Sequence, residues 1–263
     1  MTDPFTPGGC VSTPSASPSG PWTRTRSRRP GADVRLYCFP FVGAAAELYL
    51  PLAAFLPEAV DWCSLELPGH GIRFREPLVR DVTGLARVLA EVVARDAAGR
   101  PFAFFGHCTG GLLAYETACA LAVARLPGPE LLAVSAMVPP HRYQRHMANA
   151  VRRPALRPLL SDMIADAHQR GATVGAFAKW ELAAYMTHTP VLAPALTCPV
   201  TVTGGDDDYF FPPDQLDGWA AHTTAGPVVV RLYPGRHMYL MDHWQRLAED
   251  LAGDLERVTG VAR

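Results

Sequence analysis

A cysteine with a glycine two residues away on each side is the first feature of this chain that could carry chemistry. Gly106, Cys108 and Gly110 have the G-x-C-x-G spacing of a nucleophile elbow, with cysteine where serine is usual. The spacing has a steric reason. The nucleophile adopts a strained backbone conformation, and a side chain two residues away would collide with a neighbouring strand or helix. The alternative is a chance pattern in which Cys108 is a small core residue.

The segments on both sides of the cysteine favour the elbow. The apolar run 102–105 follows Pro101 and predicts a strand that is buried on both faces. Beyond the second glycine, apolar residues recur at helical spacing: Leu112, Leu113, Tyr115, Ala118 and Cys119. Strand, sharp turn and helix are the context that this motif requires, so Cys108 is the predicted nucleophile.

His237 is the histidine best placed to activate this cysteine. It follows the predicted strand 228–233 and a Pro-Gly turn, and an apolar stretch lies behind it. Loops at the carboxyl ends of parallel strands converge, so His237 can meet Cys108 despite their separation in sequence. It would then take up and return a proton as the general base. The alternative is an ordinary surface histidine.

An aspartate is expected to hold that imidazole in the right tautomer, and three aspartates in a row follow the predicted strand 199–203. Asp208 is the first choice because it follows Gly205 in the G-x-x-D arrangement of such loops. Asp206 is the second choice, and Asp207 is not excluded. The alternative is an ordinary acidic turn. The resulting order of nucleophile, acid and histidine is that of the α/β-hydrolase architecture.

The oxyanion formed by nucleophilic attack needs fixed hydrogen-bond donors. The backbone N–H of Thr109, at the start of the predicted helix, would be one donor. A backbone N–H in the turn 41–43 would be the other, and Val42 is the chosen residue. A plain helix start at this turn is equally compatible with the sequence.

The remaining sequence predicts the scaffold that positions these groups. Strands alternate with helices, which predicts an α/β fold with a mostly parallel sheet and helices on both faces. Asp81 or Thr83 is expected to be the N-cap residue of the helix that follows them, which has the clearest apolar face in the chain. An earlier helix is predicted to place four apolar residues on one side: Leu48, Leu52, Phe55 and Leu56.

Composition sets the boundaries of the domain. Residues 1–30 are rich in Pro, Ser, Thr and Gly and predict a disordered tail, and residues 31–263 predict one hydrolase domain. From about 140 to 195 the alternation lapses, and apolar residues are scattered among prolines and glycines. This segment is predicted to form a helical lid above the carboxyl edge of the sheet. The alternative is an irregular helical subdomain.

Charge and hydropathy exclude several classes of partner. The formal net charge is −1, so no overall attraction to nucleic acid or to an anionic membrane is expected. No apolar stretch is long enough to span a membrane, and the N-terminus lacks the apolar core of a secretory signal. A cytoplasmic protein is therefore predicted. The 6 cysteines have no metal-like spacing, so no metal is expected.

Five segments resemble, in order, the stand-alone type II thioesterases of polyketide and nonribosomal peptide assembly lines: LYCFPFVGAAA, LELPGHGIRFREP, PFAFFGHCTGGLLAYE, CPVTVTGGDDDYFFPP and VRLYPGRHMYL. The resemblance spans about residues 34–258. It implies an acyl substrate on the phosphopantetheine arm of an acyl or peptidyl carrier protein, no bound cofactor, and a triad of Cys108, Asp208 and His237. Family members usually have Ser at position 108, and Arg is commoner than His at position 70.

Cysteine changes the expected fate of the acyl group. A thiol at a helix N-terminus beside a histidine ionises readily, and its attack on a thioester gives another thioester of similar energy. That intermediate can pass to water, or to a thiol, amine or hydroxyl acceptor. Hydrolysis is the first prediction, acyl transfer or cyclisation the second, and a non-catalytic carrier-binding protein the third.

Basic residues gather at the start of the predicted lid. Carrier proteins are typically acidic and their arm carries a phosphate, so this cluster, with Arg152 and Arg153 at its centre, predicts a docking patch. A solvated helix face is the alternative. The members of the cluster are His141, Arg142, Arg145, His146, Arg152, Arg153 and Arg157.

Overall fold

The computed structural model describes residues 21–24, 29–152, 165, 178–192 and 195–260. Within them seven strands form one sheet in the order β1-β3-β2-β4-β5-β6-β7. All neighbouring strands are parallel except β1 and β3. The strands are β1 Thr23–Arg24, β2 Val34–Phe39, β3 Val60–Leu65, β4 Phe102–His107, β5 Leu132–Ser135, β6 Val200–Gly205 and β7 Val229–Tyr233.

Helices cover the sheet. Every residue of the strands β2 to β6 is buried, which requires cover on both faces. The predicted α/β fold is therefore confirmed. Helices α2 and α3 pack on each other, as do α1 and α6. The helices are α1 Leu50–Ala53, α2 Val82–Ala97, α3 Thr109–Val123, α4 Pro140–Arg152, α5 Ala178–Thr187 and α6 Trp244–Thr259.

Two local predictions have different outcomes. Asp81 caps α2 as expected, because its carboxylate accepts the backbone N–H of Gly84 at 2.9 Å. The helix predicted to carry Leu48, Leu52, Phe55 and Leu56 on one side is confirmed only in part, since Leu48, Leu52 and Leu56 are buried. A 3₁₀ turn, Ala46–Tyr49, precedes the four-residue helix α1, and Phe55 is 47% exposed. Pro51 has no N–H to donate within a continuous α-helix, so the helical hydrogen bonding is interrupted there.

The described part of the predicted tail also differs from expectation, while residues 1–20 and 25–28 lie outside the described residues. Thr23–Arg24, within the predicted tail, pairs antiparallel with β3 at the sheet edge. The Arg29 guanidinium donates to the carbonyl oxygens of Leu56, Pro57 and Val60 at 2.7–3.2 Å. Arginine can bind several carbonyls at once because its planar guanidinium carries five N–H donors. The composition of the segment does not show that Arg29 binds the fold in this way.

Much of the predicted lid lies outside the described residues. Its described helices, α4 and α5, pack on each other, and the Tyr143 hydroxyl donates to the Tyr185 carbonyl at 2.8 Å. No helix in the described ranges is long and apolar enough to cross a membrane. Nor do the described side chains include a cluster of three or more His, Cys, Asp or Glu suited to a metal ion.

Candidate active site

The predicted elbow lies between β4 and α3. Cys108 joins them with φ 53° and ψ −127°, a backbone conformation that side-chain-bearing residues rarely adopt. Its N–H is held by the Ser135 carbonyl of β5 at 2.8 Å, and its own carbonyl accepts the N–H of Gly111 at 2.9 Å. The sharp turn lifts the thiol out of the strand at the carboxyl edge of the sheet.

The flanking glycines have the steric role that the spacing predicts. A methyl group at Gly106 would lie 2.3 Å from the carbonyl oxygen of Gly110 at the start of α3. A methyl group at Gly110 would lie 2.1 Å from the carbonyl oxygen of Phe39, at the end of β2. Both distances are far inside van der Waals contact, and both obstructions are backbone atoms. The elbow therefore tolerates only glycine at these positions.

A buried histidine and carboxylate meet beside the cysteine. His237 Nδ1 lies 2.8 Å from Asp208 Oδ2, and the Cys108 side chain lies close enough to the His237 ring to raise the pKa of that histidine. The second Asp208 oxygen accepts the backbone N–H groups of Phe210 and Phe211 at 2.8 and 3.0 Å. The loops after β6 and β7 thus bring Asp208 and His237 to the elbow, as predicted from their strand ends.

The neighbouring aspartates face elsewhere. Asp206 accepts the backbone N–H of Gly235 at 2.9 Å and so braces the loop that carries the histidine. Asp207 is exposed and lies 3.7 Å from the guanidinium of Arg236. Only Asp208, among the three aspartates, contacts the imidazole in the described structure.

Electrostatics favour a charged pair at this site. Burial alone would lower the pKa of His237, but the adjacent Asp208 carboxylate and the Cys108 sulfur raise the pKa to about 10. Burial likewise would raise the pKa of Asp208, but His237 and two backbone donors bring that pKa below its ordinary value. A negative charge on the Cys108 sulfur therefore stabilises the protonated, cationic form of His237.

His107 lies behind the histidine, as expected for a residue that packs or hydrogen-bonds beside the site. Its ring centroid is 4.7 Å from that of His237, and its Nδ1 lies 2.8 Å from Ser135 Oγ. The chain of hydroxyls continues through Tyr239 to Thr203 with spacings of 2.7 and 2.6 Å. Burial, and then the neighbouring His237, hold the pKa of His107 well below its ordinary value, so this ring stays neutral.

The turn 41–43 approaches the elbow from β2, but its donors are already bound. The N–H of Val42, the predicted oxyanion donor, donates to the Thr109 side-chain hydroxyl at 2.8 Å. The N–H of Gly43 donates to the Glu181 carboxylate of α5 at 2.7 Å. The backbone N–H of Thr109, the other predicted donor, has no backbone acceptor among the described residues. Sequence reasoning did not foresee either side-chain contact, since no local pattern signals them.

The basic cluster is only partly described. Arg153, Arg157 and the side chain of Arg152 lie outside the described residues. Of the other members, Arg142 pairs with Asp217, His141 stacks on His222, and His146 stacks on Phe211. Arg145 is exposed. Three described members are therefore engaged within the chain itself.

The parallel sheet, the elbow after β4 and the histidine after β7 define an α/β-hydrolase. Residues 34–255 match the Thioesterase domain family. Thioesterase PikA5 from Streptomyces venezuelae is 31% identical over 249 residues, which cover 90% of this chain and 86% of that protein. The chain therefore belongs to the thioesterase family of α/β-hydrolase enzymes.

Two solved structures have the same architecture. The type II thioesterase BorB from the borrelidin biosynthetic cluster is 29% identical with a TM-score of 0.72, and the match covers 91% of this chain and 98% of that chain. RedJ, with a PEG molecule bound in its active site, is 28% identical with a TM-score of 0.74, and the match covers 95% and 98% of the two chains. The resemblance inferred from sequence motifs thus extends to the three-dimensional structure.

Proposed function

We propose that this enzyme releases acyl groups held as thioesters on a carrier protein of a polyketide or nonribosomal peptide assembly line, through an acyl-enzyme on Cys108. The observation that carries the proposal is the strained cysteine close to a histidine whose Nδ1 lies 2.8 Å from Asp208 Oδ2. The similarity to PikA5 and BorB supports the substrate class. The phosphopantetheine arm belongs to the substrate, so the enzyme itself needs no cofactor.

The first half-reaction is acylation. The Cys108 thiolate attacks the thioester carbonyl carbon, and the carbonyl electrons move onto oxygen. Collapse of this tetrahedral intermediate breaks the bond to the carrier's sulfur, which leaves as a thiol after taking the proton from His237 Nε2. Asp208 keeps Nδ1 protonated, so that Nε2 points to the reacting sulfur atoms.

The oxyanion of that intermediate requires N–H donors. We propose the backbone N–H groups of Thr109 and Val42 for this role. For Val42 to serve, the Thr109 hydroxyl that now accepts its hydrogen must rotate away or share the donor. Substrate binding would supply the competing acceptor, because an oxyanion is a stronger acceptor than a neutral hydroxyl.

The second half-reaction releases the acyl group. His237, neutral after the carrier thiol departs, takes a proton from water as the water oxygen attacks the acyl carbonyl carbon. Collapse of this second tetrahedral intermediate breaks the bond between that carbon and the Cys108 sulfur. The acyl group leaves as a carboxylic acid, and the Cys108 thiolate and the His237 imidazolium are restored. A second thiol, an amine or a hydroxyl could take the place of water. The cysteine is the specific observation that favours this second candidate function, acyl transfer or cyclisation, since an enzyme thioester keeps the acyl group activated. Hydrolysis is the preferred function because the relatives are named thioesterases.

The carrier would dock near the predicted lid. We propose that segment 140–195 covers the acyl chain and that Arg152 and Arg153, with the exposed Arg145, meet the acidic carrier. The support is the concentration of basic residues there in a chain of net charge −1.

The fate of the acyl-enzyme tests the proposal. The enzyme is mixed with an acylated carrier protein, and the intact mass is followed with time, first in buffer alone and then with a free carrier, an amine or an alcohol. An adduct that water clears supports hydrolysis. An adduct that persists until an acceptor arrives supports transfer in its place. If no adduct forms, the proposed catalytic function is overturned and a carrier-binding role is favoured.

A further inference from the structure

A buried ion pair lies directly behind the turn 41–43. Glu181 of α5 accepts the backbone N–H of Gly43 at 2.7 Å, and the same carboxylate oxygen lies 3.0 Å from His70 Nε2. His70 is 6% exposed and Glu181 is 5% exposed. The pair therefore links three segments: the turn after β2, the loop after β3 and a helix of the predicted lid.

The hydrogen bonds fix the protonation state of His70. Its Nδ1 lies 3.0 Å from the carbonyl oxygen of Pro68, which can only accept. Its Nε2 faces a carboxylate oxygen, which also only accepts. A neutral imidazole carries only one N–H group, so the lone pair of its other nitrogen would face an acceptor. With Glu181 ionised, only the imidazolium satisfies both contacts.

We propose that His70 and Glu181 are a positioning pair for the oxyanion turn, in which Glu181 holds the Gly43 N–H and the charge on His70 offsets that of the carboxylate. This inference rests on the proposed function, because it assigns the turn 41–43 to the oxyanion hole. The pair acts through the neighbouring Val42 N–H and does not touch the reacting atoms.

The need for the cation follows from electrostatics. A carboxylate bound one residue from an oxyanion donor opposes the negative charge that develops on the substrate oxygen. The imidazolium of His70 cancels that charge and keeps the carboxylate oriented. The other acid facing His70 is Glu66, which follows β3 and itself lies 4.0 Å from Arg24.

The pair responds to pH in a defined direction. Burial alone would lower the pKa of His70, but Glu181, the Pro68 carbonyl and Glu66 bring the pKa above its ordinary value. The pair is therefore complete at pH values below the ordinary histidine pKa and loses its cation as the pH rises through the raised pKa of His70. Above it, a bare carboxylate lies beside the oxyanion turn and catalysis falls.

Matched variants and the pH profile of acylation test the pair. Glu181→Gln keeps an oxygen that can accept the Gly43 N–H but removes the charge. His70→Gln leaves the carboxylate without its cation at every pH. For a small acyl thioester, we expect kcat of His70→Gln to fall about tenfold with little change in KM, a smaller loss than deletion of an oxyanion donor causes. We expect the Glu181→Gln profile to lose the alkaline step attributable to His70.

The Gly43 amide resonance in ¹⁵N–¹H NMR spectra gives a readout that is independent of turnover. In the wild-type enzyme its shift should titrate with His70, and in Glu181→Gln it should not. The pairing is overturned if the wild-type shift is insensitive to this titration, or if both variants retain the wild-type kcat and pH profile. If the wild-type enzyme shows no turnover that depends on Cys108, the proposed function is rejected. The Gly43 amide would still titrate with His70 in that case, so this failure is distinguishable from failure of the pairing.

Discussion

Two buried clusters of charge lie at opposite edges of the sheet, and they differ in how completely their charges are paired. At the amino edge, Arg35 of β2 donates two hydrogen bonds to Asp61 of β3 at 2.6 and 3.0 Å and a further one to Asp96 of α2. Asp61 also receives Arg100 at 3.0 Å, and Asp96 accepts the Tyr37 hydroxyl at 2.7 Å. Every charged group in this cluster has opposite charges as neighbours.

At the carboxyl edge the charged groups are less completely paired with opposite charges. Asp208 is engaged by His237 and two backbone N–H groups, whereas the other neighbour that raises the pKa of His237 is the Cys108 side chain, a group that can act as a nucleophile. A paired cluster stabilises the fold and is chemically inert, whereas a cluster that ends in a nucleophile can react. We therefore interpret the cluster at the amino edge as structural and the cluster at the carboxyl edge as the proposed reactive site.

Removal of the proposed nucleophile should have the largest effect. Cys108→Ala is expected to lower kcat by about 10⁴-fold or more, because all members of a triad act as one unit. Steady-state hydrolysis of a small acyl thioester measures this loss. Cys119→Ala is the matched control, since Cys119 is a buried thiol in α3 away from the elbow. Turnover that survives in Cys108→Ala would contradict the assignment.

Loss of the acid that orients the histidine should be nearly as damaging. Asp208→Asn is expected to lower kcat by about 10⁴-fold, since the amide favours the wrong tautomer of His237. Asp206→Asn is the control: its oxygen can still accept the Gly235 N–H, so we expect a change of less than about threefold. Equal losses in the two variants would mean that the aspartates only shape the loop.

The same substitution at the amino edge should affect stability alone. Asp61→Asn removes the fully buried counter-charge that Arg35 and Arg100 share, leaves Asp96 beside Arg35, and is expected to lower the free energy of unfolding by about 3–5 kcal/mol. Urea denaturation measures the change, and Asp217→Asn, at a half-exposed pair with Arg142, should cost only about 0–1 kcal/mol. If Asp61→Asn instead lowers kcat of the folded enzyme, the two edges are not functionally distinct.

The titration of His237 should depend on the sulfur. Cys108 is one of the groups that raise the pKa of His237 to about 10, so Cys108→Ala should lower that pKa while Asp208 still holds it up. The stabilising contribution of His237 is complete below the ordinary histidine pKa and is lost as the pH rises towards about 10. Histidine NMR titrations of both proteins measure the shift. An unchanged pKa would show that the thiol and imidazole do not interact.

Charge reversal at the predicted docking patch should have the smallest effect. Arg152→Glu with Arg153→Glu is expected to reduce kcat/KM for an acylated carrier by about tenfold and to leave a small acyl thioester unaffected. The contrast between the two substrates is the measurement. Equal losses on both would reject a docking role.

The sequence predicted those parts of the site that local rules govern. The glycine spacing, the buried strand and the following helix locate Cys108, and strand ends locate His237 and the three aspartates. Sequence alone ranked Asp208 first, but only the fold distinguishes its contact with His237 from the loop contact of Asp206. Both are polar residues in one turn, and their side-chain directions depend on the neighbouring loop.

Contacts between distant segments could not be predicted. His70 and Glu181 are separated by 111 residues, and the Val42 N–H finds the side chain of Thr109 only because α3 starts beneath the turn. Thr23–Arg24 has no apolar pattern of its own and forms β1 only because β3 offers an open edge. Such contacts depend on tertiary packing, which periodicity does not encode.

The most direct test is to locate the acyl group after the enzyme meets its substrate. The protein is quenched with acid within seconds of mixing with an acyl thioester, digested, and mapped by mass spectrometry. We predict one acyl adduct, on the peptide containing Cys108, and none in Cys108→Ala. An adduct on another residue, or labelling that persists in Cys108→Ala, would contradict the claim that the strained cysteine is the nucleophile.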